Sequence, residues 1–192
     1  LPSGKLYEPS ATLRSDKGSL VVVGSYVPKT TRQLENLLRT ENIHPIVIHV
    51  HRILSNKNLE KYCVEIIREI ELHIRNGTDV VIYTSRVLEK GMNARHSLLI
   101  NSMISNFLVD IVRGLSVRPS LIIAKGGITS SDIATRGLDA KKAVVLGQII
   151  AGVPVWQMDQ RSKFPGITYI VFPGNVGDDN ALTAVRTKLK TY

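Results

Sequence analysis

The sequence predicts an α/β protein, a three-layer α/β/α arrangement around a mixed, mostly parallel sheet. Three observations predict it. Leu20-Val21-Val22-Val23, Val80-Val81-Ile82 and Leu121-Ile122-Ile123 are unbroken apolar runs, the pattern of strands covered on both faces. Stretches with apolar residues at helical spacing alternate with these runs, as crossovers between parallel strands require. The segment 143–172 carries several strand signals with no helix between them, which makes the sheet mixed rather than purely parallel.

In chain order, residues 1–18 are polar, with Pro2, Pro9, Gly4 and Gly18, and read as a linker or N-terminal arm. Residues 19–192 read as one domain. The first strand ends in Gly24-Ser25. Pro28 and Thr30-Thr31 then prepare a helix carrying Leu34, Leu37 and Leu38 at helical spacing. Pro45–Val50 reads as a second strand. A long helix over Leu59–Arg75 sets Leu59, Tyr62, Cys63, Ile66, Ile70 and Ile74 on one face, with Gly77 as its natural stop. Val80–Thr84 is the third strand and ends in Ser85-Arg86. A second long helix spans Asn93–Arg113. The strand at 121–124 runs into Lys125-Gly126-Gly127-Ile128-Thr129-Ser130-Ser131-Asp132, where hydroxyls and an aspartate favour a helix start. Gly137 interrupts the helix that follows. Strands are expected at Ala143–Ile150, Val153–Trp156 and Thr168–Phe172. A final helix carries Leu182, Val185 and Leu189, with Asp178 as its N-cap.

The bulk composition excludes several classes. With 43% hydrophobic and 21% charged residues, the 192-residue chain is an ordinary globular sequence rather than a disordered one. A net charge of +9 favours acidic partners such as nucleotides, sugar phosphates or nucleic acid, or else reflects a solubilising surface. Three Phe and one Trp supply no stacking platform for single-stranded nucleic acid, and the basic residues form no run, so nucleic acid is not favoured. The single cysteine, Cys63, permits no internal disulfide and suits a reducing, cytoplasmic setting. No apolar segment reaches the roughly 18 residues that span a bilayer. Leu1 is not an initiator methionine, so the chain is read as a processed product or an excised piece of something larger.

Three strand ends carry glycine beside hydroxyl or amide residues: Gly24-Ser25, Gly126-Gly127 with Thr129 to Ser131, and Gly174-Asn175 with Gly177. Glycine lets backbone approach a phosphate closely, and helix N-termini turn partly positive N–H groups toward it. In an open α/β sheet such ends gather at the carboxyl edge, where ligands bind. Neither a Walker A spacing nor a full G-x-G-x-x-G is present. Lys125 is a candidate phosphate contact or, alternatively, a strand-end lysine reaching solvent. Ser130, Asn175 and Gly177 are further candidate phosphate contacts, and Arg86 a weaker one. His49 and His51 would share a face of a strand, but no cysteine or spaced carboxylate completes a metal site, so none is assigned. Thr129, Ser130 and Ser131 have no histidine nearby in sequence, and capping explains them better than a nucleophile. Asp178 and Asp179 could help hold Mg²⁺ or cap a helix. Trp156 and Tyr169 could line a base pocket, although core packing is the commoner fate of such residues.

Four stretches together resemble the C-terminal nucleotide-binding domain of the four-carbon acid sugar kinases. They are Val23-Gly24-Ser25 followed by Thr31-x-Gln33-Leu34, then Lys125-Gly126-Gly127-Ile128-Thr129-Ser130, then Gly152-Val153-Pro154, and finally Phe172-Pro173-Gly174-Asn175-Val176-Gly177. The resemblance covers about Leu20 to Leu189. It implies an ATP-binding domain, with Mg²⁺ arriving on the nucleotide, of a kinase for threonate-, erythronate- or oxo-tetronate-type acids. The implied nucleotide contacts are Ser25, Gly126, Gly127, Ile128, Thr129 and Gly174. The implied partner is an N-terminal domain that binds the acid sugar; without it this domain is expected to be inactive. The family loop usually reads Gly-Gly-Glu-Thr, and Ile128 stands where the glutamate would be. The Lys-Gly-Gly-Ile-Thr-Ser-Ser-Asp form looks like the branch fused to dehydrogenase-like and class II aldolase-like domains. A catalytically degenerate nucleotide- or anion-sensing or scaffolding domain is the alternative. Association into a homo-oligomer stays open.

Overall fold

The computed structural model describes residues 6–9, 15–55, 57–85 and 94–190. Seven strands form one sheet in the order β2-β3-β1-β4-β7-β6-β5. They are β1 (Leu20–Val23), β2 (Ile43–Ile48), β3 (Asp79–Thr84), β4 (Leu121–Lys125), β5 (Ala143–Ile150), β6 (Val153–Met158) and β7 (Thr168–Phe172). The first five strands in that order run parallel; β6 and β5 join antiparallel at one edge. The predicted mixed, mostly parallel sheet is therefore present.

Side chains alternate between two cores because strand residues point to opposite faces. Leu20, Val22, Ile122, Ala124 and Tyr169 face one core, closed by helices α3 (Leu59–Arg75) and α4 (Ala94–Gly114). Val21, Val23, Leu121, Ile123 and Phe172 face the other, closed by α1 (Pro28–Leu38) and α6 (Ala181–Lys190). Burial on both faces is why these strands read as continuous apolar runs.

Local signals set most helix ends. Pro28 opens α1, where its missing N–H would have no helical acceptor. Gly77 has φ of 75° and closes α3: its N–H bonds Ile74 O at 3.1 Å and the Thr78 N–H bonds His73 O at 3.0 Å. The second strand departs from expectation. It pairs with β3 from Ile43↔Asp79 to Ile48↔Thr84, so it ends where its partner ends. His49 leaves the sheet, and Val50 opens a short helix, α2 (Val50–Ser55), that buries Val50 and Ile53. The two histidines are therefore not on one strand face; their rings stand tilted, 5.6 Å apart. Among the described residues no cluster of three or more His, Cys, Asp or Glu could hold a metal ion.

Asp178 is not the N-cap of α6, which begins at Ala181. Its carboxylate instead accepts the Asn180 N–H at 3.0 Å, forming the turn that leads in. Asp179 forms a two-oxygen ion pair with Arg32, both bonds at 2.9 Å. In the arm, Leu6 bridges to Gln148 of β5, and the Tyr7 N–H donates to Gln148 O at 2.7 Å. At the amino edge of the sheet, fully buried Asp79 takes bonds from the Ser19 N–H and hydroxyl, Arg186 and Lys190.

Candidate functional site

Strands β1, β4 and β7 are parallel neighbours, so their carboxyl ends and the three glycine loops emerge at one edge. The loop after β1 and the loop after β4 face each other across a cleft of about 240 Å³. Gly24, Ser25, Tyr26 and Val27 line one side, and Gly126 to Thr129 line the other. The floor comes from α4, through Asn101, Ile104, Ser105 and Leu108.

Glycine is required at two of these positions for different reasons. A Cβ on Gly24 would fall 2.2 Å from Thr129 Oγ1, so the first loop meets the second only because Gly24 has none. Gly126 has φ of 121°, a conformation that L side chains rarely adopt. Its N–H bonds Phe172 O at 2.9 Å, joining the second loop to β7. Gly127 is constrained in neither way: a Cβ there would meet no atom within 4 Å. It leaves open space in the cleft wall, as a backbone cradle for a ligand does. Ile128 is 69% exposed at the mouth, and Tyr26, also exposed, stands across from it.

Helix α5 (Gly127–Asp132) begins here and passes directly into a π-helical turn, Ile133–Gly137. Its N-cap is Gly126, with no side-chain cap. The expectation that the hydroxyl run starts the helix is thus corrected. The first main-chain bond of the turn is Ser130 N–H to Gly126 O, at 2.9 Å. The N–H groups of Gly127, Ile128 and Thr129 precede it and have no acceptor within the turn. Ser130 is not a cleft residue. Its hydroxyl is buried and lies 2.6 Å from Ala124 O and 2.7 Å from Gly126 O, so it ties the turn to the strand end. Tyr169, fully buried, donates its hydroxyl to Ser130 O at 2.7 Å and stacks on Trp156. Both aromatics serve the core, not a base pocket.

Lys125 does not reach solvent. It is fully buried, and its Nζ donates to Pro173 O at 2.6 Å and Gly174 O at 3.2 Å, with the Phe172 ring 4.1 Å away. Burial, and then the charge of Lys29, pushes its ammonium down to about 8. Helix α1 completes a clamp on the third loop. Lys29 Nζ donates to Asn175 O at 3.2 Å, Thr30 Oγ1 lies 3.3 Å from Gly174 O, and Gln33 Nε2 donates to Val176 O at 3.0 Å and Asp178 O at 2.6 Å. The carbonyls from Pro173 to Val176 thus all turn toward protein donors. With trans peptides, the following N–H groups, from Gly174 to Gly177, point the opposite way.

Gly174 stands behind Ser25 rather than on the cleft wall: a Cβ there would lie 3.5 Å from Ser25 Oγ. Thr30 Oγ1, 3.3 Å from Ser25 Oγ, links the first loop to the third. Gly177, with φ of 78°, is required by packing, since a Cβ would fall 2.3 Å from that of Ala181. Arg86 lies outside the described residues. Sequence reasoning missed Tyr26, Thr30 and the floor on α4. The floor positions 101, 104, 105 and 108 fall at i, i+3, i+4 and i+7, a one-face signal that was present to be read.

The model of the nucleotide-binding C-terminal domain family matches residues 20–182. The chain belongs to this family, which is the one that the sequence motifs indicate. The fold is shared with three solved proteins. One from Haemophilus influenzae, of a domain family without assigned function, has a TM-score of 0.69 and 19% identity over 94% of this chain and 41% of its own. One from Bordetella bronchiseptica, of that same family and solved with bound citrate as a domain-swapped dimer, has a TM-score of 0.70 and 13% identity over 92% and 42%. One from Salmonella typhimurium LT2, described as a candidate tRNA synthase, has a TM-score of 0.68 and 15% identity over 90% and 41%. This chain therefore spans about two fifths of each. A search of curated proteins finds no match. No helix among the described residues is long and apolar enough to cross a membrane.

Proposed function

We propose that this chain is the ATP-binding part of a kinase that phosphorylates a four-carbon acid sugar, the acid being bound by an N-terminal domain of the same enzyme. The observation that carries this reading is the cleft at the carboxyl edge of β1 and β4, with the open space at Gly127 and the N–H groups at the start of the α5 turn that have no acceptor within it. A volume of about 240 Å³ is below the range that encloses a whole small-molecule ligand and suits the phosphate end of one. Ser25, Gly126, Gly127, Ile128 and Thr129 would hold the phosphates, largely through backbone. Gly174 and Asn175 would add N–H groups from the third loop.

Phosphoryl transfer depends chiefly on positioning and on neutralising charge. Mg²⁺ would arrive with the nucleotide and supply charge neutralisation there. This chain's part is to hold the phosphate oxygens against fixed N–H dipoles that need no reorganisation. Lys125 would act from beneath the third loop, as a buried charge close to the strand ends. The acceptor hydroxyl and its base belong to the substrate domain, so the domain alone binds nucleotide without turnover. A cytoplasmic setting, and fusion to dehydrogenase-like and aldolase-like domains, are part of this reading.

A second reading is a degenerate nucleotide- or anion-sensing or scaffolding domain. It is favoured by Ile128, an exposed apolar residue where the family carries glutamate. Calorimetric titration with MgATP decides between binding and scaffolding. Saturable heat is expected in the wild type and none in Gly127→Val, with far-UV dichroism unchanged because that position is open. No heat from the wild type at high protein concentration overturns the kinase reading.

A further inference from the structure

The amino edge of the sheet carries a second cleft, of about 590 Å³, walled by Arg113, Arg136, Lys141, Arg161 and Lys163 with Asp139 as the lone acid in its lining. Its place in the fold separates it from the glycine loops. Ala143 of β5 pairs with Met158 of β6, and β6 runs antiparallel to β7. Lys141 and Arg161 flank those two strand ends. They therefore lie at the edge where β7 begins, opposite the edge where Gly126 and Gly174 emerge.

The cations are held there by structure. The Asp159 carboxylate accepts the N–H groups of Lys141 at 3.1 Å, Lys142 at 2.8 Å and Arg161 at 2.6 Å, stapling the two basic loops together. The Lys163 N–H bonds Leu138 O at 2.7 Å, and the buried Ser162 hydroxyl bonds within its own loop. Arg113 donates from two nitrogens to Arg136 O, which fixes α4 against the π-helical turn. Acids answer some of this charge: Asp110 lies 3.6 Å from Arg113, Asp132 lies 3.8 Å from Arg136, and Asp139 pairs with Lys141 at 2.6 Å. Among the described residues the side chains of Arg161 and Lys163 have no ion pair; Lys163 lies only over the Phe164 ring, 5.5 Å from its centre. Two cationic groups thus remain without an ion pair at this cleft, with the Asp159 carboxylate held beside them by main-chain N–H groups.

We propose that this cleft is an anion site for a small metabolite bearing two or more phosphate groups, distinct from the nucleotide loops. Arg161 and Lys163 would take the phosphates directly, Arg161 through its planar fork. The cleft's volume falls in the range of small-molecule sites. No aromatic residue lines it, and Phe164, the aromatic beside it, is buried and offers no face to stack a base. A small polyphosphate fits these features; a nucleic-acid strand does not.

Tripolyphosphate is the probe, titrated into the ¹⁵N-labelled 192-residue chain and followed by amide shifts. Saturable shifts are expected at Leu138 to Lys142 and at Arg161 to Lys163, and should persist in Gly127→Val. In Arg161→Glu/Lys163→Glu the affinity for these shifts should fall about tenfold or more for each charge reversed. That variant should fold normally, because neither side chain carries an ion pair. The proposal is overturned if wild-type shifts are confined to Gly126 to Thr129, or if nothing saturates. It is also overturned if an RNA oligonucleotide binds this cleft more tightly, with a steep salt dependence.

Discussion

Lys125 offers a measurable link between the loop clamp and pH. Burial, and then Lys29, lowers its ammonium from 10.5 to about 8 in the folded chain. In the unfolded chain it returns to its ordinary value. Between about pH 8 and 10.5 the folded state therefore binds fewer protons than the unfolded state, and stability contributed by this group rises with pH. Below pH 8 both states are protonated and the burial penalty is present in full. One pH unit of displacement corresponds to about 1.4 kcal/mol, so the gain approaches about 3 kcal/mol by the upper end of the window. In Lys125→Met the titrating group is absent, while the remaining groups titrate as before. The unfolding free energy of the wild type minus that of the variant should thus climb by about 3 kcal/mol between neutral pH and pH 10.5, from urea transitions followed by Trp156 fluorescence. A difference that stays flat across the window refutes the buried-ammonium argument. The same group reports on nucleotide. A bound phosphate near Nζ would raise its value again, so MgATP binding near about pH 9 should take up close to one proton. Uptake near zero, from calorimetry in two buffers of different ionisation enthalpy, would leave Lys125 as a clamp only.

Two further perturbations test the framework. Gly24→Ala places a methyl 2.2 Å from Thr129 Oγ1 and 3.1 Å from Leu108 Cδ1, and should lower stability by about 1–3 kcal/mol. The two cleft loops must separate to admit it, so MgATP affinity should fall with the melting temperature; an unchanged melting temperature would show that the loops do not meet there. Asp79→Asn removes a fully buried carboxylate from between Arg186 and Lys190 and should lower stability by about 3–5 kcal/mol near neutral pH. Although burial alone would raise the Asp79 carboxyl, its bonds to Lys190, Ser19 and Arg186 together hold it below 3.8. The gap between wild type and variant should therefore be constant above that value and close as acid protonates Asp79, and a gap that widened on acidification would reverse the sign of this reasoning.

The fold was legible because burial on both faces leaves a plain mark in the chain. Leu20 to Val23 and Leu121 to Ile123 are short apolar runs rich in β-branched residues that fit interior strands, and Gly77 ends α3 through an ordinary left-handed turn. The second strand was misplaced because His49-Val50 continues the local pattern, while its end is dictated by how far β3 extends alongside. The glycine loops were legible as anion-holding turns, but the work of their neighbours was not. Ser130 reads as a capping residue until its partners, Ala124 O and Gly126 O, are known. Lys125 reads either as a phosphate contact or as a lysine reaching solvent, because its carbonyl acceptors lie 48 and 49 positions away.

Ile128 bears differently on binding than on catalysis. Its side chain is largely exposed and does not hold the loop, whose shape depends on Gly24 against Thr129, on the Gly126 bond to β7 and on the buried Ser130 hydroxyl. In the proposed site the groups that would meet an anion are main-chain N–H groups, which isoleucine and glutamate supply equally. Against the glutamate that the resemblance implies here, isoleucine would leave the proposed cradle intact and remove only a carboxylate at its mouth. Loss of a carboxylate also reduces repulsion toward a phosphate, which favours binding of the anion. If the exchange has weakened the enzyme, the defect should appear in turnover with the substrate domain present, and not in the affinity of this domain for nucleotide.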